Sequence, residues 1–207
     1  MKYRKILIVL FLLIASVSLV CNFHSDRIKH LQDGDIIFQT SLSAQSKAIA
    51  LATHSKYTHC GIIFKKGNAV YVLEAVQPVK LTPVQDWIIR GQDRHYSVKR
   101  LKNAPRLLID NVKAKMIRTG NSFINKSYDL HFGWSDDKIY CSELVWKIYD
   151  RGAGIKLCNL QNLHDFDLSN PLVKKKMAER YGNAMLLTKK VVSPSALYQS
   201  DLLETIY

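Results

Sequence analysis

Two β-rich runs, residues 58–64 and 69–75, are separated only by Lys65, Lys66, Gly67 and Asn68, and both carry apolar side chains on both faces. A strand pair of this kind is stable only when each of its faces is covered, so the chain must fold as a sheet with material packed on either side. One face holds Ile63 and Val70; the reverse holds Cys60, Ile62, Tyr71 and Leu73. Into the first face the sequence also places His59 and Glu74. With an even loop, whether Lys66 and Gly67 alone or all four turn residues, Phe64 opposes Ala69, Ile62 opposes Tyr71 and His59 opposes Glu74. Directly opposed Cβ atoms lie about 5 Å apart, close enough for a carboxylate to orient an imidazole. A one-residue bulge would turn Glu74 to the other face. A buried His and Glu that only satisfy each other are the plain alternative.

A nucleophile within reach gives that pair a purpose, and residues 139–146 supply one. Leu144, Val145, Ile148 and Tyr149 recur at helical spacing, Ser142 and Glu143 suit a first turn, and Gly152 suits the stop. Cys141 therefore stands at a helix mouth, where free N–H groups and the dipole favour a thiolate below the ordinary value of about 8.5. A buried cysteine serving as a small hydrophobe is the alternative on Cys141 alone. Taken with His59 and Glu74, the three form a nucleophile, a base and an orienter.

The stretches Asp33-Gly34-Asp35-Ile36-Ile37-Phe38, Thr58-His59-Cys60-Gly61-Ile62, Ser127-Tyr128-Asp129-Leu130 and Tyr140-Cys141-Ser142-Glu143-Leu144-Val145 together resemble the permuted papain-like, or NlpC/P60-type, cysteine hydrolases, specifically the YiiX/YaeF-like amidases. In this group the histidine comes on an early strand and the cysteine on a late helix, the reverse of papain. The segment Val192-Ser193-Pro194 to Ser200 is similar to the group's closing helix, with Ser193 and Pro194 as N-cap and first helical residue. The resemblance implies a circularly permuted papain-like α+β fold, an antiparallel sheet packed with helices. It also implies Cys141 as nucleophile, His59 as general base and Glu74 as the third catalytic residue. Tyr128, Asp129 and Tyr140 are carried as candidate substrate contacts, beside the plainer reading of Tyr128 as packing and Asp129 as loop-bonding. Unpermuted relatives have Asp-Cys-Ser-Gly where this chain has Tyr140-Cys141-Ser142-Glu143, so their peptidoglycan substrate does not carry over.

Elsewhere the pattern predicts a strand at 36–39, a helix at 43–53 and a strand at 95–100. Further helices are expected at 107–119 with Gly120 as stop, at 141–151, at 172–181 and at 195–206. Residues 121–138 lack a period and read as a loop beside the site. No repeat or linker divides residues 24–207, which read as one hydrolase domain.

Lys2, Arg4 and Lys5 precede an apolar run over residues 6–20, the outline of an export signal. Residues 1–23 are therefore read as a signal peptide or N-terminal anchor, with lipidation of Cys21 as a minority alternative. Beyond Cys21 the cysteines are Cys60, Cys141 and Cys158, an odd set that suits a free thiol better than a disulfide scaffold. There is no Cys-x-x-Cys and the seven histidines are scattered, so the pattern calls for no metal and no cofactor. The net charge of +13 suits an anionic envelope surface. Nucleic acid is excluded as a partner because no recognition motif or aromatic platform accompanies the charge. The expected function is an exported cysteine hydrolase of the periplasm or cell envelope. It would cleave an amide bond in a peptide or acyl-amide through a Cys141 thioacyl-enzyme. Acyl-lipid hydrolysis or transfer, as in lecithin-retinol-acyltransferase-type relatives, and a non-catalytic envelope-binding module are the alternatives.

Overall fold

A computed structural model describes residues 27–182 and 187–207, and Gln32–Tyr207 form one compact unit. The segment read as an export signal, Cys21 included, lies outside the described residues. No helix among the described residues is long and apolar enough to cross a membrane.

The unit is built on an antiparallel six-stranded sheet. In chain order its first strands are β1 (Ile36–Ser41), β2 (His59–Lys66), β3 (Ala69–Glu74), β4 (Lys80–Pro83) and β5 (Gly91–Leu101), closed at one edge by β10 (Leu203–Thr205). The spatial order is β10-β5-β1-β2-β3-β4. Helix α1 (Ser46–Thr53) links β1 to β2, and α2 (Val84–Ile89) links β4 to β5. A short turn α3 (Ala104–Leu107) and helix α4 (Asp110–Asn121) follow, then the two-residue strands β6 (Ser127–Tyr128) and β7 (Lys138–Ile139), which pair in parallel. Helix α5 (Cys141–Ile148) runs into a π-helical turn, Tyr149–Ala153. Beyond it lie β8 (Gln161–Asn162), α6 (Pro171–Tyr181), β9 (Lys190–Val191) and α7 (Pro194–Tyr198).

Both sheet faces are covered, as the doubly apolar hairpin requires. On one, Phe38, Ile62, Phe64 and Leu73 meet Met116 of α4 and Leu144, Val145 and Ile148 of α5 in a continuous core. On the other, α2 packs against β3, β4 and β5, and Trp87, Ile63, Val72 and Val98 are all fully buried.

The Asp33-Gly34-Asp35 motif turns out to be a brace for this sheet. Asp33 Oδ1 accepts from the Lys65 N–H at 2.6 Å, while Asp35 takes both arms of the Arg100 guanidinium at 2.7 Å. The Tyr149 hydroxyl donates to the Gly34 carbonyl at 2.5 Å, tying the end of α5 to the start of β1.

Four expectations change. The hairpin loop is Gly67 and Asn68, one residue further along than Lys66 and Gly67, so Phe64 opposes Tyr71 and Ile62 opposes Leu73. That shifts the register by two residues: Gln39 of β1 is the partner of His59, and Lys80 of β4 is the partner of Glu74. A shift of two leaves every side chain on its expected face. Second, α4 starts later than Leu107, because Ile109 is extended, and it continues through Gly120. A Cβ on Gly120 would stand 2.7 Å from Leu73 Cδ2, so this glycine marks where the helix touches the sheet. Third, the turn after α5 ends in the left-handed Gly154 (φ 71°) rather than at Gly152, which packs on Met116. Fourth, the expected C-terminal helix stops at Tyr198, and the chain turns back as edge strand β10 along β5. Strand β4 and helix α2, which follow directly on the hairpin, were not expected.

Gly61 is the close approach on which the hairpin depends, since a Cβ there would stand 2.3 Å from Val72 Cγ1 and 2.9 Å from the Leu73 carbonyl. Gly61→Ala should cost about 1–3 kcal/mol in urea denaturation, the usual range for overpacking. Gly67→Ala meets nothing within 4 Å and pays only for its φ of 59°, about 1 kcal/mol. Equal losses in the two variants would contradict this packing.

Candidate active site

The site forms where the N-terminus of α5 meets the first residue of β2. The start of β2 is fixed by Thr58, whose hydroxyl accepts from the Ser41 N–H at 2.9 Å and shares a 2.6 Å hydrogen bond with Ser46 at the head of α1. His59 follows, 9% exposed, with Nε2 2.7 Å from Glu74 Oε2. Glu74 reaches His59 on a diagonal, and its Cβ lies 3.5 Å from where a Gly61 Cβ would stand. The missing side chain at Gly61 opens that path. Trp87 of α2 stacks on the imidazole, with ring centroids 5.9 Å apart and planes inclined by 24°.

Glu74 is wholly buried and its second oxygen is also occupied: Oε1 accepts from the Thr82 hydroxyl at 2.6 Å and from the Arg90 guanidinium. Burial alone would raise its pKa, yet the hydrogen bond and charge of His59, with Thr82 and Arg90, hold it at about 2.

Cys141, 4% exposed, is the first residue of α5. The segment expected to be the closing helix clamps the residues on either side of it. Ser142 Oγ donates to the Val192 carbonyl at 2.7 Å, and the Val192 N–H donates to the Tyr140 hydroxyl at 3.1 Å. Glu143 accepts from the Tyr140 N–H at 3.4 Å and pairs with Lys147 Nζ at 2.7 Å. Lys147, almost fully buried, also donates to the Ser135 carbonyl and to Asp136, holding the 129–137 loop onto the helix.

The Cys60 thiol, the His59 ring and the Cys60 backbone N–H stand around the Cys141 sulfur and pull its pKa well down against its burial. With Nε2 engaged by Glu74, Nδ1 is the His59 nitrogen left for the sulfur. Burial pushes His59 down, but its hydrogen bonds to Cys141 and Glu74 outweigh it and raise the ring to about 9. These opposite shifts favour the thiolate and imidazolium form of the pair. Burial, with the hydrogen bond to Cys141, pushes Cys60 well above the usual thiol range, so it remains an S–H donor to the thiolate. Strand alternation places Cys60 on the face opposite His59. It does pack in the core, but strand alternation carries no signal for a sulfur set at the strand's entry, where neighbouring residues both reach it.

Two openings meet at this pair. Cys141 lines a cavity walled by Ile49, Ala52, Phe166, Leu168, Val173 and Met177. His59 lines a second, more polar cleft, in which Gln39, Ser41, Gln77 and Arg90 stand beside Ala75, Val76 and Leu130. Gln45, Thr58 and Tyr128 line both and so form the partition. Tyr128 Oη accepts from Gln45 Nε2 at 3.1 Å, and Gln45 Oε1 accepts from Arg180 at 2.8 Å. Tyr140 also lines the apolar cavity, with its hydroxyl committed to Val192. Asp129 lines neither opening: its carboxylate accepts from the His131 N–H at 2.8 Å and from the Gly133 N–H.

Cys141 should be alkylated by iodoacetamide at pH 7 faster than Cys60 or Cys158, both of which burial raises, Cys158 to about 11. Cys60→Ala should move the midpoint of the Cys141 rate against pH upward, because the thiolate loses its largest stabilising contact. Equal rates for the three thiols, or an unmoved midpoint, would refute the contacts described.

The family model for permuted papain-like amidases, YaeF/YiiX, matches residues 30–207. The chain is 45% identical over 175 residues to the uncharacterized protein YiiX of Escherichia coli K12, covering 84% of this chain and 85% of that one. It superposes with a TM-score of 0.81 on a crystal structure described as metalloprotein yiiX from Escherichia coli O157:H7. That match is at 46% identity and covers 85% of this chain and 96% of that one. Among the described residues no three His, Cys, Asp or Glu side chains are arranged to hold a metal ion, and both Glu74 oxygens are already occupied by protein donors. Histidine before cysteine, the antiparallel sheet and the match over most of the chain agree, and the chain belongs to the permuted papain-like amidase family of YaeF and YiiX.

Proposed function

We propose that this protein is an exported cysteine hydrolase that cleaves an amide joining an apolar acyl group to a polar amine. The observation that carries the reading is that the nucleophile and its acid open on different surroundings, the sulfur on an apolar cavity and the imidazole on a more polar cleft that holds Arg90 and three glutamines.

The Cys141 thiolate attacks the carbonyl carbon, with the acyl chain in the apolar cavity. The oxyanion receives the Cys141 backbone N–H, unpaired at a helix N-terminus, and the Tyr128 hydroxyl, whose oxygen already accepts from Gln45. His59 gives its proton to the leaving nitrogen as the C–N bond breaks, and a thioester on Cys141 remains. Water then enters from the polar side and His59 takes its proton. Attack on the thioester releases the carboxylic acid and restores the thiolate and imidazolium. Glu74, held ionised by its partners, fixes the ring through both steps.

The lining of the cavity also favours a second reading, hydrolysis or transfer of ester-linked acyl lipid by the same residues. The charged and apolar N-terminus supports export to the periplasm or envelope, and the net charge of +13 supports association with an anionic envelope surface. A binding module without turnover would not need a thiolate paired with a charged imidazole.

Mass spectrometry of protein exposed to envelope extract should reveal an acyl adduct on Cys141, and its mass names the acyl group. Cys141→Ala and His59→Ala should each lower turnover by about 10⁴-fold or more without unfolding the chain, while Glu74→Gln leaves a measurable remnant. Tyr128→Phe should lower kcat by about 10²-fold. Because His59 titrates at about 9, kcat/KM should fall above that pH as the imidazolium that protonates the leaving nitrogen is lost. Full activity in His59→Ala would exclude it as the base.

A further inference from the structure

We propose that the polar cleft beside His59 is an anion subsite, in which Arg90 receives a carboxylate or phosphate carried by the leaving half of the substrate. This rests on the reaction proposed above, because the half that departs must lie on the side of the group that protonates it.

Arg90 closes α2, and one of its terminal nitrogens donates to Glu74 Oε1. A guanidinium has five N–H donors in a planar fork, so this contact leaves most of them unused. The side chain is 45% exposed and lines the cleft, so it can be reached from the space where the leaving group would sit. Apart from His59, the remaining lining is uncharged, including Gln39, Ser41, Ser43, Gln45 and Gln77. Glu74 is buried beneath and does not line the cleft, so its carboxylate does not occupy the space an anion would take.

Gln39 packs into the wall of this cleft with its carboxamide oxygen set against Gly91. It is 3% exposed, it is the β1 partner of His59, and its carboxamide oxygen is buried without a hydrogen-bond partner among the described residues. A buried polar atom left in this state is uncommon and costly. Gln77, by contrast, is committed: its Oε1 accepts from the Tyr128 N–H at 2.7 Å. The cleft thus offers a half-used planar cation beside the proton donor, and a planar carboxylate or a phosphate matches the guanidinium fork.

Arg90 also touches the partner of His59, so its loss lowers turnover of any substrate; the test therefore reads binding. In Cys141→Ala protein, N-octanoylglycine, N-octanoyl-O-phosphoethanolamine and the neutral N-octanoylglycinamide are compared by calorimetric titration, with the three acetyl counterparts followed by NMR. At least one anionic ligand should bind about tenfold tighter than its neutral partner, the worth of one charge-assisted hydrogen bond. Adding Arg90→Gln should bring that ratio to about one. The better anion of the two identifies carboxylate or phosphate as the recognised group. Equal affinity of charged and neutral ligands, or a preference that survives Arg90→Gln, overturns the subsite. Octanoyl ligands that bind no tighter than acetyl ones would instead count against the apolar acyl group, while the acetyl series still reports on Arg90.

Discussion

The Glu74 carboxylate, shut off from solvent, is the interaction around which the site is assembled. An isolated buried carboxylate would cost several kcal/mol, and its neutralisation would leave His59 without an orienting charge. Here it is satisfied by His59 from β2, Thr82 from β4 and Arg90 from the end of α2. Each donor sits on a different element, so the carboxylate fixes the relative placement of strand, edge strand and helix as well as the imidazole. Trp87 belongs to the same helix and lies flat on the ring, which makes α2 both a cover for the sheet and a wall of the site.

A second set of constraints acts on the sulfur. Val192 is held by both its N–H and its carbonyl, to Tyr140 and Ser142, and Cys141 lies between those two residues in the chain. The C-terminal segment is far from Cys141 in sequence, yet it determines how the helix is presented to β2. Lys147 does the same for the loop carrying Phe132, through its bonds to Ser135 and Asp136. The helix mouth is thus a junction of α5, β2, the 129–137 loop and the segment leading into α7.

The sequence was most readable where period and chemistry agreed. Alternation put His59 and Glu74 on one face, and this survived a register error because a shift of two residues preserves parity. The loop position was less readable, since Lys66-Gly67 and Gly67-Asn68 are both acceptable two-residue turns. Helix ends failed at Gly120 and Gly152, where glycine serves close packing against Leu73 and Met116 rather than chain reversal, a distinction only tertiary contacts make. Strand β10 was hidden because residues 202–206 are short and also fit a helical pattern. Strand β4 and α2 escaped for a related reason: each is only four to six residues long, and α2 is stabilised by what it covers. The Cys60 thiol contact and the Tyr128–Gln45–Arg180 relay join residues distant in the chain and left no local signal.

The partition formed by Gln45, Thr58 and Tyr128 has a kinetic consequence. On the proposed reaction, the two products occupy separate chambers once the amide is broken. The amine can leave by one door while the acyl group remains lodged behind the other. The vacated polar chamber is then where the second nucleophile must arrive, and the thioester has no preference of its own among water, an alcohol or another amine. Whether the enzyme hydrolyses or exchanges its acyl group becomes a competition for one small volume, decided by which molecule fills that chamber before water attacks.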